Sequence, residues 1–151
     1  MAVKIKRVVG ANKRPVSAFV RNEWRRFHAE RGYDWRVRKH SFSATEKGRI
    51  LGYVSMETHG GVAYLLKLIV SKRTRGRGIG SRLLRMFEAE AKREKCHTMI
   101  LRTSDRHTEA MRFYRDRGYR VIATLKDHMF HFTWYYLEKK LKRKPASRSG
   151  G

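Results

Sequence analysis

Cysteine and long apolar runs are scarce in this sequence of 151 residues. The one cysteine, Cys96, excludes an internal disulfide bond and is typical of a protein from a reducing compartment. Because it follows a predicted helical run, we expect Cys96 to be a buried small hydrophobic residue rather than a nucleophile. No apolar run approaches the length of a membrane span, and the first residues lack the apolar core of a signal peptide. The sequence therefore predicts a cytoplasmic protein with no membrane segment.

Acidic residues are also few, with 13 Asp and Glu against 37 Lys and Arg, which gives a formal net charge of +24. A surface this positive concentrates polyanions, so a nucleic acid or an acidic protein is one hypothesis for a partner. The alternative is that the charge serves only solubility and the capture of a small anionic ligand. Hydrophobic residues make up 40% of the chain, which excludes a disordered basic tail. The length predicts a single domain over residues 1–141, followed by a basic, disordered tail over residues 142–151.

Hydrophobic periodicity predicts an order of elements that mixes helices with strands. The pattern over residues 3–9 indicates an opening strand, and Pro15 to Arg31 reads as an amphipathic helix whose aromatic face we expect in the core. The segment Val62 to Val70 is apolar nearly throughout, so we expect burial on both of its faces. The remaining predicted strands are Val37–Thr45, Arg49–His59, Thr98–Thr103, Tyr119–Lys126 and His128–Lys140, and the second long helix runs from Ile79 to about Lys95.

A basic glycine-rich loop separates the predicted strand Val62–Val70 from this second helix. Its alternating glycines, Gly76, Gly78 and Gly80, let backbone amides approach a ligand, and the helix start adds the partial charge of unpaired N–H groups. The spacing is neither that of a P-loop nor that of a dinucleotide-binding fold. A polyphosphate is the expected guest, and a loop that contacts nucleic acid phosphates is the alternative. Cations surround the loop at Arg73, Arg75, Arg77 and Arg82.

A second motif follows about 35 residues downstream, where Ala110-x-x-Phe113-Tyr114-x-x-x-Gly118-Tyr119 predicts a short helix that is capped by glycine and enters a strand. This segment resembles the second signature of the GNAT superfamily of N-acetyltransferases. The loop Arg75-x-x-Gly78-x-Gly80 is similar to the pyrophosphate loop of the same superfamily, Arg/Gln-x-x-Gly-x-Gly/Ala. The two motifs stand in the order and at the spacing that the family has, and the resemblance extends from about residue 48 to residue 141.

The resemblance implies a mixed α/β fold, in which a central, mostly antiparallel, splayed sheet of six to seven strands is flanked by three to four helices. It also implies transfer of an acetyl group from acetyl-CoA to a primary amine by direct attack in a ternary complex, without a metal. The net charge favours an amine on a protein, a lysine or an N-terminus, over a free polyamine that this surface would repel. The alternatives are a small-molecule amine, a longer acyl donor, and a nucleic-acid-binding module that keeps the fold. A homodimer is left open.

The family's site residues carry over to particular positions here. Backbone amides of the loop would hold the pyrophosphate, and the strand Leu68–Val70 would pair with the pantetheine arm and stabilise the oxyanion through an N–H group. Tyr114 matches the residue that donates a hydrogen bond to the departing thiolate. His107 stands where the family often has asparagine, and Lys72 where it often has proline. The implied cofactor-binding residues are Leu68, Ile69, Val70, Arg75, Gly76, Arg77, Gly78, Ile79, Gly80, Ser81, His107 and Tyr114.

The general base is the least defined part of the predicted site. Tyr64 stands where some family members carry a glutamate that acts as the base. A base is required because a lysine ammonium, with a pKa near 10.4, is not nucleophilic, whereas an α-amino group with a pKa of about 7.7 is partly neutral. The nearest candidates are Glu57 and His59, late in the preceding strand. The alternatives are that both are exposed strand-end residues and that ordered water removes the proton.

Overall fold

The computed structural model describes residues 3–142, which divide into two compact units with the boundary between Trp35 and Arg36. The predicted tail lies, apart from Lys142, outside the described residues. Among those residues, no helix is both long and apolar enough to cross a membrane.

The first unit contains helix α1, Lys13–Glu30, which confirms the predicted helix with its start two residues earlier. Pro15 lies in the first turn, where a missing N–H group costs nothing. The predicted opening strand is wrong, because residues 3–9 form no strand in the described part of the chain. Alternation of Val and Ile with Lys and Arg allows an extended chain, but a strand also needs a neighbour that accepts its hydrogen bonds. No side chain of α1 is buried, so its aromatic face does not form the expected core.

The second unit is built on a six-stranded sheet, which confirms the predicted mixed α/β fold class. The strand order is β1-β2-β3-β4-β6-β5, and all neighbouring pairs are antiparallel except β3 with β4. Tight turns at Lys47-Gly48 and Gly60-Gly61 join the first three strands, and the glycines there have positive φ. The strands are β1 Arg38–Glu46, β2 Arg49–His59, β3 Val62–Val70, β4 Thr98–Ser104, β5 Arg120–Leu125 and β6 Trp134–Lys140.

Strand β6 is shorter than the sequence predicts. The prediction began this strand at His128, but a 3-10 turn occupies Met129–His131 and the strand begins at Trp134. Phe130 and His131 have φ of 59° and 57°, which no β-strand accommodates. The indole of Trp134 donates to the carbonyl of Met129 at 2.9 Å and fixes this turn against the start of the strand.

Strands β3 and β4 diverge from one another. Only residues 62–64 of β3 pair with β4, at its residues 98–100. The rest of β3, Leu65–Val70, has no neighbouring strand on the side of β4. Toward β2, a register shift leaves Leu66 without a Cα partner. Leu66 and Ile69 are exposed by 51% and 58%, so the prediction that β3 is buried on both faces is wrong. A strand is buried on both faces only where other elements pack against both faces of the sheet, and Leu66 and Ile69 lack such cover within the described second unit.

The hydrophobic core lies under helices α2, Ile79–Arg93, and α3, Thr108–Arg115, which both contribute to one buried cluster. Leu84 and Phe87 of α2 are almost completely buried together with Met99 of β4. Cys96 is free and buried, which confirms the prediction for this residue. The buried set also contains Val54, Met56, Ala63, Leu65, Ile79, Leu83, Ala91, Leu101, Tyr114, Tyr119 and Leu137.

An ion-pair cluster joins edge strand β1 to the C-terminal end of α2. His40 lies 3.1 Å from Glu90, and Arg38 pairs with Glu94 at 2.8 Å. Arg93 also pairs with both carboxylates, and its hydrogen bond lowers the pKa of Glu90. The ligand atoms of His40, Glu90 and Glu94 lie within 4.8 Å of one another. Because arginines already neutralise the two carboxylates, we interpret this cluster as a structural ion-pair network rather than a cation site.

Candidate active site

The glycine-rich loop turns the chain from the open end of β3 into α2. A 3-10 turn at Lys72–Thr74 begins it, in which the amide and hydroxyl of Thr74 both donate to the carbonyl of Ser71 at 3.0 and 3.2 Å. Gly76 and Gly78 then adopt φ of 79° and 76°, in the left-handed region that side chains disfavour. The backbone conformation therefore explains why glycine occupies these two positions.

The first turn of α2 presents unused hydrogen-bond donors. The first intrahelical bond at this end runs from the amide of Arg82 to the carbonyl of Gly78 at 3.1 Å. The amides of Ile79, Gly80 and Ser81 therefore lack an intrahelical acceptor, and within the described chain they donate to no other group. A helix of 15 residues adds its dipole at this point. The arrangement is a binding site for an anion.

A cavity of about 340 Å³ opens at this helix start and brings together the loop, the end of β3, and α3 with the residues that follow it. Gly80 lies between the end of β3 and α3, where a Cβ atom would be in ordinary van der Waals contact with Val70 at 3.6 Å and with Phe113 at 3.7 Å. Seven of the predicted cofactor-binding residues line the cavity, namely Val70, Arg75, Gly76, Gly78, Ile79, Gly80 and Ser81.

The arginines near the loop have different surroundings. Arg75 lines the cavity, is exposed, and pairs with no carboxylate among residues 3–142. Arg77 instead donates to Glu46 on β1 at 2.7 Å, a hydrogen bond that lowers the pKa of this carboxyl. Arg77 therefore lines a different groove, between β1 and α2.

Arg117 is a cavity residue that the sequence analysis missed. It follows α3, and its guanidinium donates to the hydroxyl of Ser81 at 2.6 Å and to the carbonyl of Phe113 at 2.9 Å. The same guanidinium lies over the Phe113 ring at 3.8 Å. No local signal could have revealed it, because Ser81 and Arg117 are 36 residues apart in the sequence.

Tyr114 lies near the end of α3 and is only 8% exposed. Its ring meets those of Phe113 and Tyr119 edge-on, at centroid distances of 5.2 and 5.8 Å. Burial raises the pKa of Tyr114 to about 12, so the phenol is protonated at neutral pH and can act as a donor. Its hydroxyl has no hydrogen-bond partner in the described part of the chain.

His107 caps the N-terminus of α3 and is tied to the end of β4. Its Nδ1 lies 3.0 Å from the hydroxyl of Ser104, and its amide donates to the carbonyl of Ser104 at 3.0 Å. These two contacts fix the imidazole beside the end of β4, and His107 does not line the cavity at the start of α2.

Glu57 and His59 lie on β2. The buried residues of this strand are the even-numbered ones, so the two candidates face the opposite side of the sheet from the core that contains Tyr114. Glu57 pairs by register with Tyr64, the last residue of β3 before the splay, and its carboxylate has no partner within residues 3–142. His59 stacks on the Tyr64 ring at 4.7 Å. Glu57 thus adjoins the point where the sheet opens, and neither candidate contacts Tyr114 in the described structure.

These residues fit a coenzyme A thioester. The free amides of α2 suit a diphosphate, and the unpaired edge of Leu65–Val70 offers backbone groups to an extended amide-containing arm such as pantetheine. A splayed sheet with an anion site at the start of the following helix suits a coenzyme A-dependent acyltransferase.

Comparison with known proteins agrees with this class. The family described as Acetyltransferase (GNAT) family matches residues 13–119, and the chain belongs to this family. Acetyl-CoA is therefore the expected cosubstrate. A curated relative, the uncharacterized protein YdhI of Bacillus subtilis (strain 168), is 30% identical over 81 residues, which are 54% of this chain and 49% of YdhI. The match thus spans about half the length of that relative.

Solved structures share the fold. An acetyltransferase from Bacillus cereus ATCC 14579 aligns with a TM-score of 0.75 and 22% identity over 92% of this chain and 98% of its own. An acetyltransferase structure from Bacillus anthracis str. Ames in complex with acetyl coenzyme A has a TM-score of 0.65 and 19% identity, over 69% of this chain and 63% of that chain. At these identities the likeness shows the fold alone.

Proposed function

We propose that this chain transfers the acetyl group of acetyl-CoA to a primary amine by direct attack of the amine. The observation that carries this proposal is the cavity at the start of α2, where free amides and unpaired arginine charge adjoin the open edge of β3. Acetyl-CoA supplies an activated thioester, so the protein needs to hold it, accept a proton from the amine and donate one to the thiolate.

The binding elements are backbone groups. The amides of Ile79, Gly80 and Ser81 hold the diphosphate, and the unpaired edge of Leu65–Val70 aligns the arm that leads into the opening. The register shift at Leu66 turns backbone groups out of the β2–β3 ladder beside this opening. We assign the stabilisation of developing negative charge on the acetyl oxygen to an N–H group of this strand, which costs little reorganisation because the sheet holds it in place.

Two side chains handle the protons. Tyr114 is protonated and buried next to the aromatic end of α3, so it can donate its proton or a hydrogen bond to the departing thiolate. Glu57 lies at the apex of the opening, its carboxylate has no partner among residues 3–142, and it is the preferred proton acceptor. His59 is the second choice, because it pairs by register with Val62, two pairs further from the opening than Glu57, and its ring is stacked on Tyr64.

The acceptor that the charge favours is an amine on a protein. A surface with a net charge of +24 repels polyamines, whereas a protein amine in an acidic surrounding is attracted to it. An N-terminal α-amine is the easier nucleophile because its pKa, near 7.7, leaves a large neutral fraction at pH 7.5.

An acetyl-transfer screen read by mass spectrometry tests the proposal. The acceptors are peptides with a free N-terminus, the same peptides with a blocked N-terminus and an internal lysine, spermidine, and aminoglycosides. We expect acetyl-CoA-dependent mass gain on peptides above that on spermidine. Transfer to spermidine alone would overturn the assignment of a protein acceptor. Binding to nucleic acid without any coenzyme A binding would overturn the enzymatic proposal as a whole.

A further inference from the structure

We infer that Arg117 is a phosphate-recognition residue for the coenzyme, acting beside the amides of α2. This inference rests on the proposed function, since it names a side chain of the same cavity. It goes further because it places specificity for the coenzyme on α3 and its C-terminal extension, a segment outside the glycine-rich loop.

The guanidinium of Arg117 is held in place by protein contacts alone. The hydroxyl of Ser81 accepts from one Nη atom at 2.6 Å, and the carbonyl of Phe113 accepts from the other at 2.9 Å. The guanidinium carbon of Arg117 also lies over the Phe113 ring, 3.8 Å from the ring centroid. Three contacts from two different elements fix a long side chain whose ordering otherwise opposes binding.

The charge of Arg117 has no counter-ion in the described part of the chain. No carboxylate among residues 3–142 pairs with it, although other arginines of this unit have such partners, for example Arg77 with Glu46 and Arg120 with Glu138. Both groups that hold Arg117 are neutral hydrogen-bond acceptors. A half-buried cation that lines a cavity and lacks an anion is suited to an anionic ligand.

Arg117 is tied to the same helix start that carries the free amides. Ser81 is the third residue of α2, so its hydroxyl stands on the same helical turn as the amides of Ile79 and Gly80. A guanidinium has five N–H donors, and the two contacts with protein atoms leave others for a phosphate oxygen. A diphosphate on these amides therefore has Arg117 as its neighbouring cation. The 3′-phosphate of the coenzyme is the other source of the same chemistry.

Titration calorimetry with three ligands separates these sources. Coenzyme A carries both the diphosphate and the 3′-phosphate, 3′-dephospho-coenzyme A carries only the diphosphate, and pantetheine carries neither. For Arg117→Gln we expect about a 10-fold to 100-fold loss of affinity for the first two ligands, the range for one charge-assisted hydrogen-bond partner. Affinity for pantetheine should not change. Arg115→Gln is the matched control, an exposed arginine two residues away that does not line the cavity.

The outcomes are distinct. Loss for coenzyme A only would assign Arg117 to the 3′-phosphate, and equal loss for both nucleotides supports the diphosphate. Unchanged affinity for both nucleotides would overturn the inference while leaving the proposed function in place. Tight coenzyme binding without acetyl transfer would overturn the proposed function while leaving the inference about Arg117 in place. Ser81→Ala provides a second test if Arg117→Gln fails to fold, since it releases the guanidinium and should weaken nucleotide binding by about 3-fold to 10-fold.

Discussion

Strands β3 and β4 pair at one end, the closed end, and separate at the other, the open end. The two ends differ in whether their backbone hydrogen-bonding groups are paired within the fold. At the closed end, Val62–Tyr64 pairs with Thr98–Ile100, and Ala63 and Met99 are completely buried. At the open end, Leu65–Val70 has no neighbour toward β4, and the chain continues into a loop that leads to unused amides. The closed end satisfies its backbone within the fold, whereas the open end keeps groups available for a ligand.

This difference implies that stability and coenzyme binding depend on separate residues. The closed end adjoins the buried cluster under α2 and α3, so its side chains contribute to the free energy of folding. The open end contributes less packing, because Leu66 and Ile69 are largely exposed. Substitutions at the closed end should therefore lower stability, whereas substitutions at the open end should lower affinity for the coenzyme.

The largest expected effect is at the closed end. Met99 is completely buried, and its sulfur lies 3.9 Å from the hydroxyl of Tyr119. Met99→Ala should lower the free energy of unfolding by about 2 to 5 kcal/mol, since it leaves a cavity in the core. Chemical denaturation measures this loss, and Met86→Ala is the control because Met86, on α2, is 45% exposed. Equal losses for the two variants would contradict the assignment of the core to this end.

The next largest effect is at the open end. Gly80→Asp places a carboxylate among the free amides of α2, where it competes with a diphosphate. We expect coenzyme A affinity to fall by about 100-fold, while the melting temperature changes little because a Cβ atom fits at ordinary contact distances. Gly80→Asn is the neutral control of the same shape and should lose far less affinity. Similar losses for Asp and Asn would show that shape rather than charge decides binding here.

The sequence predicts those features of the two ends that have a local signal. Strands β2 and β3 were predicted with the correct ends because Lys47-Gly48 and Gly60-Gly61 mark their turns. The glycine-rich loop was equally visible, since unusual φ angles at Gly76 and Gly78 require glycine.

Tertiary features were not visible in the sequence. An apolar run such as Val62–Val70 reads as buried, yet the divergence of β4 leaves half of it open. Residues 3–9 alternate like a strand but have no strand to pair with. Arg117 acquires its contacts only when the segment after α3 packs on the start of α2, and no short-range pattern encodes that approach.

A smaller effect is expected for Tyr114, the proposed donor to the departing thiolate. Tyr114→Phe removes a hydroxyl but keeps the ring that packs against Tyr119, so coenzyme A affinity and stability should hardly change. Turnover should fall by about 100-fold if the phenol donates to the thiolate. Steady-state kinetics together with calorimetry measure this, and unchanged turnover would remove Tyr114 from the mechanism.

The pH dependence of turnover sharpens the same test. Because burial raises the pKa of Tyr114 to about 12, ionisation of this phenol should not reduce turnover below about pH 11. A wild-type profile that loses activity near pH 10, with the loss absent in Tyr114→Phe, would contradict the burial of the phenol.

The smallest expected effect returns to the closed end, at the carboxylate of Glu138. This residue pairs by register with Ile100, and hydrogen bonds from Arg120, at 2.8 Å, and Lys140 hold the pKa of its carboxyl below the ordinary value. A lowered pKa stabilises the fold above the unfolded-state pKa near 4.3, and this contribution is lost as the pH falls through and below that value. Glu138→Gln should therefore be less stable than wild type at pH 7, by less than about 1 kcal/mol because Arg120 is exposed, and the difference should shrink as the pH falls below about 4.3 toward the lower folded-state pKa. Thermal melts across this range measure the difference, and Arg120→Gln should reproduce part of it. A deficit of the same size at pH 3 and pH 7 would mean that Glu138 acts through packing, and that the closed end is stabilised by its apolar contacts rather than by this ion pair.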